Sequence, residues 1–213
     1  MKPPAPLCAV CATPCRPAFR TPTAELAPDL DGRPGEPARS TLERWIALCP
    51  GCGAAAPDLA ALPPEAAAII PRADIQAEPD RFLRWSLLAA ALGNPVAAAE
   101  ATLQAAWRQE DDGQDASALR RRAATAWPGD PLRQIDILRR AGALPEADAL
   151  AASLTGLDED QRHIVAFQRD RIAANDTTRH AISSALRNPS RTPHVSHVQK
   201  QAKPGLFARL FGK

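Results

Sequence analysis

The sequence predicts a mainly α-helical protein with a small metal-binding module at its N-terminus. Three observations carry this reading. Alanine is abundant, aromatic residues make up only 4% of the chain and tyrosine is absent, a composition that favours helices packed through small side chains. The 22 prolines fall mostly between apolar stretches, where they punctuate short helices. Cysteines stand in two pairs, Cys8-Ala-Val-Cys11 and Cys49-Pro-Gly-Cys52, a spacing that lets two sulfurs converge on one ion.

The first module spans residues 1–57. Its second cysteine pair runs into Gly53, and glycine supplies the positive φ that such a knuckle needs, while proline pre-sets its first corner. Two knuckles complete a tetrahedral set of four thiolates, so Cys8, Cys11, Cys49 and Cys52 are the expected ligands of one zinc per chain. Thiolates alone also suit iron, the secondary assignment. Cys15 is the odd thiol. It could replace Cys11, but a spare position on the loop fits it better. Between the knuckles, a segment rich in Pro, Gly, Asp and Thr that includes Asp29-Leu-Asp-Gly-Arg33 reads as an irregular excursion. Thr41 to Leu48 has strand character and leads into Cys49, which completes the plan of a zinc ribbon. A module this small buries little apolar area, so metal would supply much of its folding free energy.

Residues 58–187 read as helices in sequence. Pro63-Pro64 opens a short one that Pro71 closes. Pro79-Asp80 opens the next, through about Leu92, with Phe82, Leu83, Trp85, Leu87 and Leu88 as its apolar stripe and Gly93 as its stop. Asn94 caps a helix that begins at Pro95 and ends near Gln109, before the acidic turn Glu110 to Asp115. A further helix covers about Ala116 to Trp127, with Arg120-Arg-Arg122 expected on its solvated face. Asp130-Pro131 repeats the cap-then-proline signal and starts a helix that runs to Gly142. Leu144 to Leu154 follows. Asp158-Glu-Asp160 places negative charge on the first turn of a helix that reaches about Ala174, and a last one is expected from Thr177 to Leu186. Trp85, Trp107 and Trp127 are expected as core anchors, with the alternative that one of them lines a peptide groove.

Residues 188–213 form a tail of linker-like composition. Its end places Leu206, Phe207, Leu210 and Phe211 on one helical face, with Arg209 and Lys213 alongside. So short a helix is marginal alone in water, which suggests ordering on a protein partner's groove or at an anionic membrane surface. His194-x-x-His197, also in the tail, reads as solvated rather than liganding.

Two resemblances follow from these residues. Gly142-Ala-Leu-Pro-Glu-Ala147, with Ala151 and Leu154 after it, resembles the turn and second helix of a tetratricopeptide repeat. The chain as a whole resembles a bacterial family of unknown function that joins an N-terminal zinc ribbon to a tetratricopeptide-like helical region. Cys8, Cys11, the Asp29–Arg33 stretch, Trp45 and Cys49 to Gly53 carry that likeness. Ala54-Ala55-Ala56 stands where that pattern has an aromatic residue after the knuckle glycine. The resemblance implies a tetratricopeptide-like stack of helical hairpins after the ribbon and metal ligation by the four cysteines. It implies no enzymatic role.

Charge and motifs narrow the function. Residues 1–57 carry 6 basic and 5 acidic side chains, residues 58–187 carry 15 and 19, and the remainder carries 5 basic and none acidic. The folded part lacks the basic excess of a nucleic-acid-binding surface. Nothing in the chain presents a nucleophile–base pair, a phosphate loop or a paired-carboxylate signature. No stretch approaches the roughly 20 apolar residues of a membrane span, and the N-terminus lacks a signal-peptide core, so a cytoplasmic location is expected. The expected function is a non-enzymatic, zinc-binding adaptor for a protein or peptide. The alternatives are a nucleic-acid-binding ribbon and a rubredoxin-like or thiol redox protein.

Overall fold

In the computed structural model, which describes residues 4–127 and 129–186, residues 4–60 wrap onto a succession of helices. Leu7 bridges to Pro14 around the first knuckle. The strand expected over Thr41 to Leu48 is a 3-10 helix at Arg39–Arg44 instead, and only Ala47–Leu48 is extended (β1). The Thr41 hydroxyl donates to the Ala38 carbonyl at 2.6 Å and accepts the Trp45 indole N–H at 2.9 Å. These local side-chain bonds compete with the extended form. They also turn Leu42 and Ile46 into the core.

β1 pairs antiparallel with β2 (Ala55–Ala56), with Ala47 opposite Ala56 and Leu48 opposite Ala55. Ala54, Ala55 and Ala56 are all 1% exposed or less. A helix packs directly on this strand, and small side chains let the two approach closely.

The helices follow as α1 (Ala66–Ile69), α2 (Ala73–Ala77), α3 (Arg81–Ala91), α4 (Pro95–Asp111), α5 (Ser117–Thr125), α6 (Pro131–Arg140), α7 (Leu144–Ser153), α8 (Glu159–Ala173) and α9 (Ile182–Ala185). The starts of α3, α4, α6, α7 and α8 are the ones written in the sequence. Asp80 accepts the N–H groups of Phe82 and Leu83, Asn94 that of Ala97, and Asp130 those of Leu132 and Arg133. Asp158 and Gln161 form a reciprocal capping box at α8. Asp80 also pairs with Arg108 of α4 at 2.9 Å, so Asp80→Ala is expected to cost about 1–2 kcal/mol, measured as a lowered urea midpoint.

The last helix is shorter than expected. Asp176 accepts both the backbone N–H and the hydroxyl of Thr178 and bonds His180, while Ala181 bridges to Asp29. Residues 176–181 are thereby held as a turn and an extended pairing, and helix begins only at Ile182.

The architecture is mainly helical with one small two-stranded sheet among the described residues. Successive helices pack on one another from α3 to α7, and α8 lies against α6 and α7. At the α3–α4 contact, buried Ser86 and Thr102 hydrogen-bond each other and both reach the Ala98 carbonyl. The cores do not stop at residue 57. One joins Cys8, Cys49 and Ala54 to Leu59, Ile75 and Leu88. Another joins Leu42, Ile46 and Ala55 to Phe82, Leu103, Trp107 and Ile137. Among the described residues no helix is long and apolar enough to cross a membrane.

Candidate metal centre

The two knuckles share one backbone plan. In the first, the Cys8 N–H donates to the Thr13 carbonyl and the Ala12 N–H to the Cys8 carbonyl, both at 2.9 Å. In the second, the Cys49 N–H donates to Ala54 at 2.8 Å and the Gly53 N–H to Cys49 at 3.0 Å. The residue after each second cysteine is left-handed, Gly53 at φ +72° and Ala12 at φ +57°. Glycine marked this position in the second knuckle, whereas alanine concealed it in the first. Neighbours then fix both turns. Ala9 N–H bonds the Leu59 carbonyl, while Gln76 of α2 reaches the Cys52 carbonyl and Arg84 of α3 that of Gly53, at 3.2 and 3.0 Å.

The sulfurs of Cys8, Cys11, Cys49 and Cys52 all lie within 4.8 Å of one another. Cys11 and Cys49 are 3.5 Å apart, Cys8 and Cys52 3.9 Å. Four sulfurs about 2.3 Å from a central ion would be separated by about 3.8 Å, so the donor set has the size of a tetrahedral thiolate site. Cys8 and Cys49 are buried, Cys52 is half-buried and Cys11 is exposed.

As thiols the four are unlike. The Thr13 hydroxyl, 3.2 Å from its sulfur, and then the Thr13 backbone bring Cys11 down to about 6. Burial pushes Cys52 up to about 12 and raises Cys49 as well. Such crowding opposes four neighbouring thiolates unless a cation neutralises them. Cys15 lies outside the cluster, where its buried thiol faces the Pro6 carbonyl. Burial raises its pKa too.

Gly51 is required by close approach. A Cβ there would stand 2.2 Å from Thr13 Oγ1 and 3.1 Å from Cys11 Sγ. Gly51→Ala should therefore push the knuckles apart and weaken zinc affinity by about tenfold or more, measured by chelator competition. Adding Thr13→Ala should restore part of the loss. Equal affinity in Gly51→Ala would show that the knuckles yield.

The largest departure from the sequence reading concerns the Asp29–Arg33 stretch. It is irregular, as expected, but it is buried in the helical part. Asp31 is 0% exposed. Its Oδ2 accepts Trp107 Nε1 of α4 at 2.8 Å, Arg120 Nη2 of α5 at 2.9 Å and Arg140 Nη1 of α6 at 2.8 Å, while Oδ1 accepts the Arg33 N–H at 3.1 Å. Glu110 ties the same two arginines at 2.6 Å each. Arg33 pairs with Asp111 and Arg39 with Asp29.

Arg120, expected on a solvated face, is thus fully buried, whereas Arg121 and Arg122 are exposed. Glu110 belongs to the same charge cluster rather than to a mere polar turn. Burial alone would raise the Asp31 pKa, but the Arg120 and Arg140 guanidiniums hold it well below the usual carboxylate range. No local motif announces such a network, because its partners lie up to 109 positions apart.

Trp107 is the core anchor expected of it, and Trp45 meets its ring edge-on at 6.4 Å between centroids. Trp85 and Trp127 are half-buried. Trp45, Trp85, Phe19, Ile46, Pro57 and Ala101 line a groove of about 330 Å³ where the knuckle module meets α3 and α4, with Glu100 and Gln104 also on its wall. The tail residues Leu206, Phe207, Arg209, Leu210 and Phe211, with His194 and His197, lie outside the described residues. Comparisons with protein-family models, with curated proteins and with solved structures find no match to this chain.

Proposed function

We propose that this protein is a non-enzymatic adaptor whose N-terminal zinc ribbon is a structural centre and whose tetratricopeptide-like helical hairpins receive a protein or peptide. The observation that carries the structural role of the metal is the closed set of four convergent sulfurs. Four protein ligands leave a tetrahedral ion no position for substrate or water. Zinc suits this set as a redox-inert ion, and its thiolates would be held by Cys8, Cys11, Cys49 and Cys52. The aromatic groove at the junction with α3 and α4 supports peptide binding, since Trp side chains give large contact area at low entropic cost. The packing of each helix from α3 to α7 on the next is what a hairpin stack requires. Residues 205–213 would add a second contact, to the partner or to a membrane surface.

Elemental analysis of untagged protein, paired with its visible spectrum, tests the metal. One colourless zinc per chain, lost in a Cys49→Ser/Cys52→Ser variant, supports the ribbon. Iron with visible absorbance would move the function to electron transfer. A cross-linking pull-down comparing wild type with Trp85→Ala tests the groove, and identical partner recovery by the two would sink the adaptor site.

A further inference from the structure

The segment between the knuckles, residues 12–48, is held in two places by different means. At its ends, Cys11 and Cys49 meet with their sulfurs 3.5 Å apart. In its middle, Asp31 is the buried counter-ion that α4, α5 and α6 share. The surrounding backbone is pinned as well. Arg133 of α6 donates to the Asp31 carbonyl at 2.9 Å, Leu30 N–H to the His180 carbonyl at 3.0 Å and Ile182 N–H to the Pro28 carbonyl at 2.9 Å. At Gly32, φ is +82° and an added Cβ would lie 2.5 Å from Arg133 Nε. Asp31 bonds none of the four cysteines, yet one short stretch of chain serves both the metal and the helices.

We propose that residues 12–48 form a metal-closed clasp, so that metal occupancy controls the ordering of α5 and α6 through Asp31. Joining the ends of the segment removes part of its conformational freedom. Insertion of Asp31 between the helices then carries a smaller entropic cost, and each anchor strengthens the other. When the ends separate, the middle must be held by its own bonds. Arg120 and Arg140 then share Asp31 with a freer chain, and Glu110 becomes their steadier partner. Coupling of this kind is reciprocal: what metal does for the helices, the Asp31 contacts must do for metal affinity. The clasp therefore makes the helical surface responsive to metal supply, a property that a purely local structural zinc would lack.

The test measures zinc affinity by competition with a chromophoric chelator in full-length Asp31→Asn and Arg140→Lys. Both sites lie away from the cysteines, and the second keeps its charge while losing the fork that joins Asp31 to Glu110. Each variant is expected to bind zinc about tenfold more weakly. Asp158→Ala, which removes the exposed capping box at the start of α8 and whose side chain bonds only the Gln161 backbone, is the control and should leave zinc affinity unchanged. Hydrogen exchange on wild-type protein gives a second readout that needs no variant: chelation should speed exchange in α5 and α6.

Unchanged zinc affinity in folded Asp31→Asn or Arg140→Lys overturns the clasp. So does an equal loss in Asp158→Ala, which would mark general destabilisation, or exchange that changes only in residues 4–62. If Asp31→Asn does not fold, Arg140→Lys and the wild-type exchange data decide. The clasp rests on the four-cysteine reading, and the two fail differently: protein that binds no zinc refutes the metal site, whereas zinc bound with uncoupled affinity refutes the clasp alone.

Discussion

Asp31→Ala is expected to destabilise the zinc-saturated protein by about 3–5 kcal/mol, the cost of leaving buried cations without their counter-charge. Arg120 is 1% exposed in its side chain and Arg140 7%, and after the substitution Glu110 alone would face both. Against a typical total stability of about 5–15 kcal/mol, this is a large fraction. Asp148→Asn makes the comparison. It breaks the exposed pair with Arg169, whose side chains are 45% and 52% accessible, and should cost no more than about 1 kcal/mol. Urea midpoints at neutral pH decide the matter, and an Asp31→Ala midpoint close to that of Asp148→Asn would show that the network contributes little.

The pH dependence has a defined sign. The folded Asp31 carboxyl sits below its unfolded value of about 4. Its stabilisation is therefore fully present above that value and is lost as pH falls through the folded one. The gap between wild type and Asp31→Asn should be widest above about pH 5 and should close in strong acid.

Metal removal is the second large effect. Cys11 and Cys49 are 38 positions apart, and cross-linking a loop of that length is worth about 4 kcal/mol by chain-entropy reasoning, before any metal–sulfur bonding. Chelation, or Cys49→Ser, is expected to remove at least about this much, read as a lowered thermal midpoint. The effect should extend beyond the knuckles, because Cys8, Cys49 and Ala54 share a core with Ile75 and Leu88. Cys15→Ser offers the contrast. Its thiol faces Pro6 outside the cluster, so zinc should stay at one per chain. A thermal midpoint insensitive to chelation would mean that the four sulfurs meet without holding the fold together.

Local chemistry was legible wherever a residue acts on its immediate neighbours. Asp80, Asn94-Pro95, Asp130-Pro131 and Asp158 announced their helices, since a cap bonds N–H groups two or three positions on. The cysteine pairs announced themselves through spacing and Gly53. Illegible were the features where a local signal lost to a distant one. Thr41 to Leu48 has strand composition, but the Thr41 hydroxyl and the burial of Leu42 and Ile46 bend it into a 3-10 turn. Thr177 to Ala181 has helical neighbours, but Asp176 and the pairing with Asp29 hold it open.

By itself, then, the sequence determined the mainly helical class, most helix starts and the four sulfurs available to a metal. Each of these depends on contacts within a few residues or on a spacing visible along the chain. Tertiary structure alone decided that Asp29–Arg33 is buried rather than looped out. It also decided that Arg120 and Glu110 face inward and that Ala54–Ala56 are buried. A buried charge is stable only where distant partners converge on it, and convergence across about a hundred residues leaves no mark on the local pattern.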